Sequence, residues 1–305
     1  MTTLCSESYV FDGRPAYPLL VPAKRYWHPS LSQEDGLTLI LAHGTGFHKE
    51  HWEPFLDDLF GLLGTAASIG GPRLRVREAW AIDAPNHGAG ALLNEAVLRF
   101  GYEPVFAWDE YALAIHRFLA GHGSGIPVDF ARRRLVAVGH SFGAIALVLT
   151  RTYTPAPRFE AAVLVEPMLI TEATAADATF AGNFLEQNAA KRRDVWPSRE
   201  AARELFAARS FKDWDPRVLD LHVKHGLRDL PTLTYPDKQG VTLTCTKIQE
   251  AATYRDSHGR FAALRYLATF CADVPTHAVF GAIADYVCVS PSSPLFSRAR
   301  AIRAV

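Results

Sequence analysis

The sequence predicts an α/β fold, a mostly parallel sheet with helices on both faces and a helical cap, from three observations. Four short apolar runs, Leu37 to Ala42, Val76 to Ile82, Leu135 to Val138 and Ala161 to Val165, alternate with segments of helical periodicity, and a fifth, Thr276 to Phe280, comes much later. The runs are continuously apolar, the pattern of parallel strands covered on both faces. Between Met168 and about Asp237 helix follows helix with no strand among them, which is simplest as a cap over the strand ends, where α/β folds place ligands.

Taken in order, the helices expected between the strands are Trp52 to Leu63, Trp108 to Ala120 and Ala144 to Thr152, each with apolar residues at helical spacing and a Gly- or Pro-bearing turn nearby. In the cap, Asp215-Pro216 is a helix start signal, Asp as N-cap and Pro at the first helical position. Gly121 to Pro127 is a Gly-rich loop, and Arg132-Arg133-Arg134 reads as a solvated turn before a strand. The expected organisation is a core from 1 to 167, a cap from 168 to 237 and the return of the core from 238 to 305.

Composition narrows the function classes. The 305 residues are enough for a substantial core without staples. Lys+Arg and Asp+Glu both number 32, so no polyanion-binding surface is indicated and nucleic acid is not an expected partner. Cys5, Cys245, Cys271 and Cys288 have neither C-x-x-C spacing nor spaced histidine companions, so no metal site and no disulfide framework is expected. The first residues carry acids where a signal peptide has a basic segment, and no apolar run is long enough to span a bilayer. Reduced thiols and a soluble intracellular, cytoplasmic protein are the default reading, with no membrane insertion.

Gly139-His140-Ser141-Phe142-Gly143 follows one strand directly and opens into the small-residue helix from Ala144. G-x-S-x-G in that context is a nucleophile elbow, which needs glycine two positions either side because strand and helix backbones nearly touch. His43-Gly44-Thr45-Gly46 follows the first apolar strand, where the loop completing an oxyanion hole is expected. The two donors would be the backbone N–H groups of Thr45 and Phe142. His43 and Gly44, His140 before the nucleophile, and Trp214 in the cap are the candidates for lining the substrate path. Trp196, Phe206, Phe211 and Leu219 accompany Trp214, either lodging an apolar acyl group or gluing the cap to the core.

The succession LTLILAHGTGF, AWAIDAPNHGAG, LVAVGHSFGA, AAVLVEPM and VPTHAVFGAIADYV resembles the α/β-hydrolase superfamily over nearly the whole chain. HGTGFHKEHWEPF and FKDWDPRVLDLHVKHGLRD are most similar to its fungal branch of peroxisomal lipase-like and toxin-biosynthesis hydrolases. The resemblance implies an eight-stranded sheet, a Ser-acid-His triad and no metal or organic cofactor. Asp285 matches the usual place of the acid and Glu166 the alternative place after strand six, with Asp285 preferred. The histidine expected after strand eight has no counterpart, since His277 is the last in the sequence. Ser293 to Ala301 reads as the last crossover helix and Ala301 to Val305 as strand eight just beginning, so the chain is expected to stop short of its general base.

His48, His51 and His87 are expected near the site mouth, His277 in the core, and His222, His225 and His258 in the cap or its return. Three functions remain open at this point: hydrolysis of an ester, thioester or lactone through Ser141; a truncated or degenerate relative that binds a small apolar ligand without turnover; and acyl transfer with the same nucleophile. The expected partner in the first is a small-molecule acyl substrate. The branch resemblance raises a peroxisomal location, although Arg303-Ala304-Val305 is not a peroxisomal address.

Overall fold

The computed structural model describes residues 4–68, 74–169, 181–281 and 300–303. Its main sheet has eight strands: β1 (Cys5–Asp12), β2 (Leu20–Trp27), β3 (Leu37–Ala42), β4 (Val76–Ile82), β5 (Arg134–His140), β6 (Phe159–Val165), β10 (Thr276–Phe280) and β11 (Arg300–Arg303). The spatial order is β1-β2-β4-β3-β5-β6-β10-β11. Only β2 runs against its neighbours β1 and β4. The other pairings are parallel.

Side-chain alternation divides β3 between two cores. Leu39 and Leu41 face a layer formed with Leu56 and Phe60 of α1 (Glu53–Ser68). Ile40 and Ala42 face the larger layer, which holds Tyr111, Ile115 and Phe118 of α4 (Trp108–Leu119), the apolar residues of α5 (Phe142–Thr150), and Leu267 and Phe270 of α10 (His258–Asp273). The short helices α2 (Gly88–Leu93) and α3 (Glu95–Gly101) follow β4.

All five expected strands are present, three of them with the expected bounds. The β1–β2 hairpin was not expected, because β1 is an edge strand whose residues are mostly exposed and polar. The strand expected near the end of the sequence is present as β11, parallel to β10. The helix expected from Ser293 falls outside the described residues except at Arg300 and Ala301, which belong to β11.

The cap segment also departs from the all-helical expectation. It contains α6 (Ala181–Lys191), α7 (Arg199–Ala208) and α8 (Pro216–Gly226), and two short strands, β7 (Val195–Trp196) and β8 (Leu227–Asp229). These pair antiparallel with β9 (Val241–Leu243) in a second sheet. Trp196, Phe206 and Leu219 pack with Val223, Val241 and Leu243 in a separate small core. The Asp215-Pro216 start is observed, with the Asp215 carboxylate accepting from Arg217 N–H at 2.8 Å.

One carboxylate joins the two helices that back the elbow helix α5. Asp256, between α9 (Lys247–Arg255) and α10, accepts from the Trp108 amide at 2.7 Å, the His258 amide at 2.8 Å and the Gly259 amide at 3.2 Å. It thereby satisfies free amides at the starts of α4 and α10 together. A Cβ on Gly259 would lie 2.5 Å from Trp108 Cβ, so the two helix starts are in contact. Asp256→Ala is expected to lower the unfolding free energy by about 3 kcal/mol by stranding these buried amides, and Asp256→Asn by less. Urea unfolding followed by circular dichroism measures both; equal stability of Asp256→Ala and the unmodified chain would refute this role.

Candidate active site

The turn between β5 and α5 is as tight as the G-x-S-x-G spacing requires. Ser141 has φ 52° and ψ −117°, a conformation that non-glycine residues adopt at a cost of roughly 1–3 kcal/mol. A Cβ on Gly139 would fall 2.5 Å from Ala144 Cα, and one on Gly143 would fall 2.4 Å from the Ala42 carbonyl oxygen. Neither contact is sterically tolerable, so both positions require glycine. The strained residue is held from both sides: its N–H donates to the Val165 carbonyl at 2.9 Å, and its carbonyl accepts from the Ala144 and Ile145 amides at 3.1 and 3.3 Å. Every residue of α5 is buried, which anchors the turn.

The loop after β3 lies against this turn. A Cβ on Gly44 would be 3.3 Å from Ser141 Cβ and 2.7 Å from His140 Nδ1. His43 braces the loop: its Nδ1 is 2.8 Å from the Gly44 carbonyl, and the Ala84 amide donates to its Nε2 at 3.0 Å. These two partners define the tautomer with the proton on Nδ1. Burial holds the His43 imidazole down at about 4 against the attraction of Asp83, and burial brings His140 to about 4 as well. Both rings are therefore neutral near pH 7. Tyr111 completes the brace, its hydroxyl donating to the Ile82 carbonyl at 2.7 Å and accepting from the His43 amide at 3.3 Å. Thr45 is buried in the same loop, and Phe142 is the first residue of α5, where an amide has no acceptor within the helix.

Of the two acid candidates, Asp285 lies outside the described residues. Glu166 follows β6, and since His140 pairs with Val165, it stands level with Ser141 on the neighbouring strand. Its φ is 43°, its amide donates to the Val279 carbonyl at 2.8 Å, and its carboxylate accepts from the Gly281 amide. Beside Gly44 and His140 is a largely apolar cavity of about 870 Å³, with Phe47, Trp52, Phe55, Trp214 and Val218 in its wall. His43 lies on the same wall while its ring nitrogens are held by backbone. Trp214 stacks on Phe211 at 3.9 Å and meets Phe47 edge-on at 5.4 Å, so it joins the segment before α8 to the loop after β3.

Sequence reasoning missed the group that braces this region. Asp83, fully buried at the end of β4, accepts from the Lys49 amide and Lys49 Nζ, both at 2.8 Å, and from the Ala89 amide at 3.0 Å. Lys49 also pairs with Glu50 at 2.9 Å. Burial disfavours the Lys49 ammonium, but the two carboxylates hold its pKa above the usual range. An acid placed directly after a fully buried strand, in AIDAP, was the available signal.

Comparison with known proteins agrees with this geometry. Residues 39–286 match the Alpha/beta hydrolase family. A type I acyl-CoA thioesterase of Penicillium brevicompactum is 30% identical over 213 residues, 68% of this chain and 44% of that protein. An abhydrolase domain-containing protein of Alternaria alternata is 31% identical over 120 residues, 39% of this chain and 44% of the relative. The chain thus spans less than half the length of these curated relatives. Among solved structures, the peroxisomal alpha-beta-hydrolase Lpx1 of Saccharomyces cerevisiae superposes with a TM-score of 0.68 at 18% identity, covering 99% of this chain and 82% of that one. The thioesterase domain from the curacin biosynthetic pathway gives a TM-score of 0.61 at 14% identity, with coverage of 98% and 92%. With its strand order, its strained serine turn and this match, the chain belongs to the alpha/beta hydrolase family.

Proposed function

We propose that the chain is a serine hydrolase of an ester or thioester with an apolar acyl group, working through an acyl-enzyme on Ser141. The observation that carries this reading is the strained Ser141 backbone between two positions that admit only glycine. Such strain persists where the turn must project one side chain away from strand and helix alike. The similarity to acyl-CoA thioesterases supports an acyl substrate, and the apolar cavity beside Gly44 and His140 has room for an acyl chain.

In this reading Ser141 Oγ attacks the acyl carbonyl and its proton passes to a general base; the place where the family resemblance puts that base, after the acid, holds no histidine in this sequence, in which His277 is the last. The negative charge that develops on the carbonyl oxygen is held by the Thr45 and Phe142 amides, each worth about 10² to 10³ in rate. The alcohol or thiol leaves with a proton, and water then releases the acid from the acyl-enzyme. Acyl transfer is the same chemistry with a different second nucleophile, so adding a competing alcohol or amine and identifying the products distinguishes it. The domain reading is retained as a core from 1 to 167, a cap from 168 to 237 and a returning core.

A second reading, a hydrolase-fold protein that holds an apolar ligand beneath the cap without turnover, draws on the same cavity. A fluorophosphonate probe separates the two. Under the proposed function Ser141 is labelled, and Ser141→Ala abolishes labelling and lowers kcat on acyl thioesters by at least about 10³-fold with an unchanged fold. An unlabelled, folded chain that still binds fatty acids would establish the second reading. Converting the orienting carboxylate to its amide is expected to cost about 10⁴ in kcat, so steady-state kinetics of Glu166→Gln and Asp285→Asn identify it. If neither variant changes kcat, no triad acid lies at either position. Trp214→Ala is expected to shift the preferred acyl chain length more than the melting temperature; the reverse pattern would assign Trp214 to packing alone.

A further inference from the structure

His48, His51 and His222 converge although the sequence separates them by up to 174 positions. A 3-10 turn (Lys49–Trp52) places His48 and His51 three residues apart, a spacing at which side chains eclipse, and their ring centroids are 3.8 Å apart. His222 comes from the opposite side, on α8, with its ring 5.3 Å from that of His51. One nitrogen from each ring lies within 4.8 Å of the others. His48 Nε2, His51 Nε2 and both nitrogens of His222 are buried without a hydrogen-bond partner among the described residues, and His48 and His222 are 1% and 2% exposed.

We propose that His48, His51 and His222 form a binding site for one zinc-type divalent ion that joins α8 of the cap to the 3-10 turn of the core. Three converging imidazoles are a donor set suited to zinc, with a fourth position left for water or another ligand. The supporting contacts fit the same chemistry. His48 Nδ1 is 2.9 Å from Glu50 Oε2, so its proton is directed to a carboxylate and its Nε2 lone pair turns toward the other two rings. Carboxylate-to-histidine contacts of this kind orient metal ligands. Lys49 Nζ, 2.9 Å from the other Glu50 oxygen, holds that carboxylate in place. His51 Nδ1 accepts from the His48 amide at 3.1 Å and lies 3.3 Å from the His48 carbonyl, so binding an ion through Nε2 requires the ring to move its proton to Nδ1 and exchange the first contact for the second. Tetrahedral bonds of about 2.0–2.1 Å put nitrogens about 3.3 Å apart, so from separations of up to 4.8 Å the rings need to close by up to about 1.5 Å. His51 also lines the apolar cavity, which places the site between that cavity and the cap helix.

The test uses the full chain stripped with a chelator and titrated with Zn²⁺ and, separately, Co²⁺. One ion per chain is expected, with the visible absorption of tetrahedral cobalt and a melting temperature that rises with free ion concentration. His51→Gln and His222→Gln should abolish the cobalt spectrum, and Glu50→Gln should weaken affinity about 10- to 100-fold. Binding that survives unchanged in folded His51→Gln and His222→Gln would overturn the proposal. If these variants fail to fold, X-ray absorption of the zinc-loaded unmodified chain decides: three imidazole nitrogens at about 2.0–2.1 Å support the site, and fewer refute it.

Discussion

The buried carboxylate of Asp83 is the constraint on which the rest of the site depends. A charge with no solvent exposure is costly unless donors surround it. Here they are the Lys49 ammonium and two backbone amides, those of Lys49 and Ala89. The amides begin two separate segments, the 3-10 turn after the His43–Gly46 loop and the α2 turn after β4. Gly88, with φ 51°, lets the second approach closely, since a Cβ there would fall 2.7 Å from either Asp83 carboxylate oxygen. Asp83 therefore holds Lys49 and, through it, Glu50 and His48. It also stands 3.7 Å from His43 Nε2, beside the ring that braces Gly44.

The strain at Ser141 is sustained by the same economy of position. A few kcal/mol stored in one residue persists only where its neighbours over-determine the geometry. Buried α5 on one side, the Val165 carbonyl on the other and the braced Gly44 loop above leave the chain no other path. Glu166 is the second non-glycine residue with positive φ among the described residues, and it directly follows the residue that receives the Ser141 amide. Two strained residues level with each other at neighbouring strand ends point to a rim shaped by chemistry rather than by packing alone.

What could be read from the sequence depended on how local the signal was. β3, β4 and β10 are short runs bounded by turns, and their limits are legible because apolar residues dominate them, although β4 carries Arg77 and Glu78 and β10 begins with Thr276 and His277. β1 was invisible because Ser6, Glu7 and Ser8 make it look like surface loop. β7, with two residues, and β8, with three, are too short to show any period. The tight turn at Ser141 and the loop from His43 were legible because each is one contiguous motif beside a strand. Zinc spacing rules see only neighbours in sequence, so His48 and His51 were read without His222, and no metal site was expected. Asp83 drew no notice because its one signal, a single acid directly after a buried strand, carries no period or spacing that ties it to Lys49 and Ala89.

How the segment from 181 to 237 is attached to the main sheet and its helices follows from which of its contacts are shielded from water. Arg217 reaches Asp58 on α1 through two bonds of 2.8 and 2.9 Å, but both side chains are about half exposed, so the pair contributes little. Arg228 and Glu95 are better shielded, at 14% and 23% exposure, yet they tie β8 to α3, away from the serine turn. Near the Gly44–Gly46 loop the contact combines one shielded ion pair with rings: Arg192 reaches Glu250 on α9 at 2.8 Å, the two side chains 24% and 10% exposed, while Trp214 packs against Phe47 and His51, and His222 against His48 and His51. Aromatic pairs prefer offset or edge-on geometry and are worth about 0.5–1.5 kcal/mol each beyond their burial, so the rings orient α8 against the 3-10 turn only modestly. If the three histidines close on an ion, that directional contact would fix α8 against the 3-10 turn, and with it the wall of the apolar cavity to which His51 and Val218 both belong.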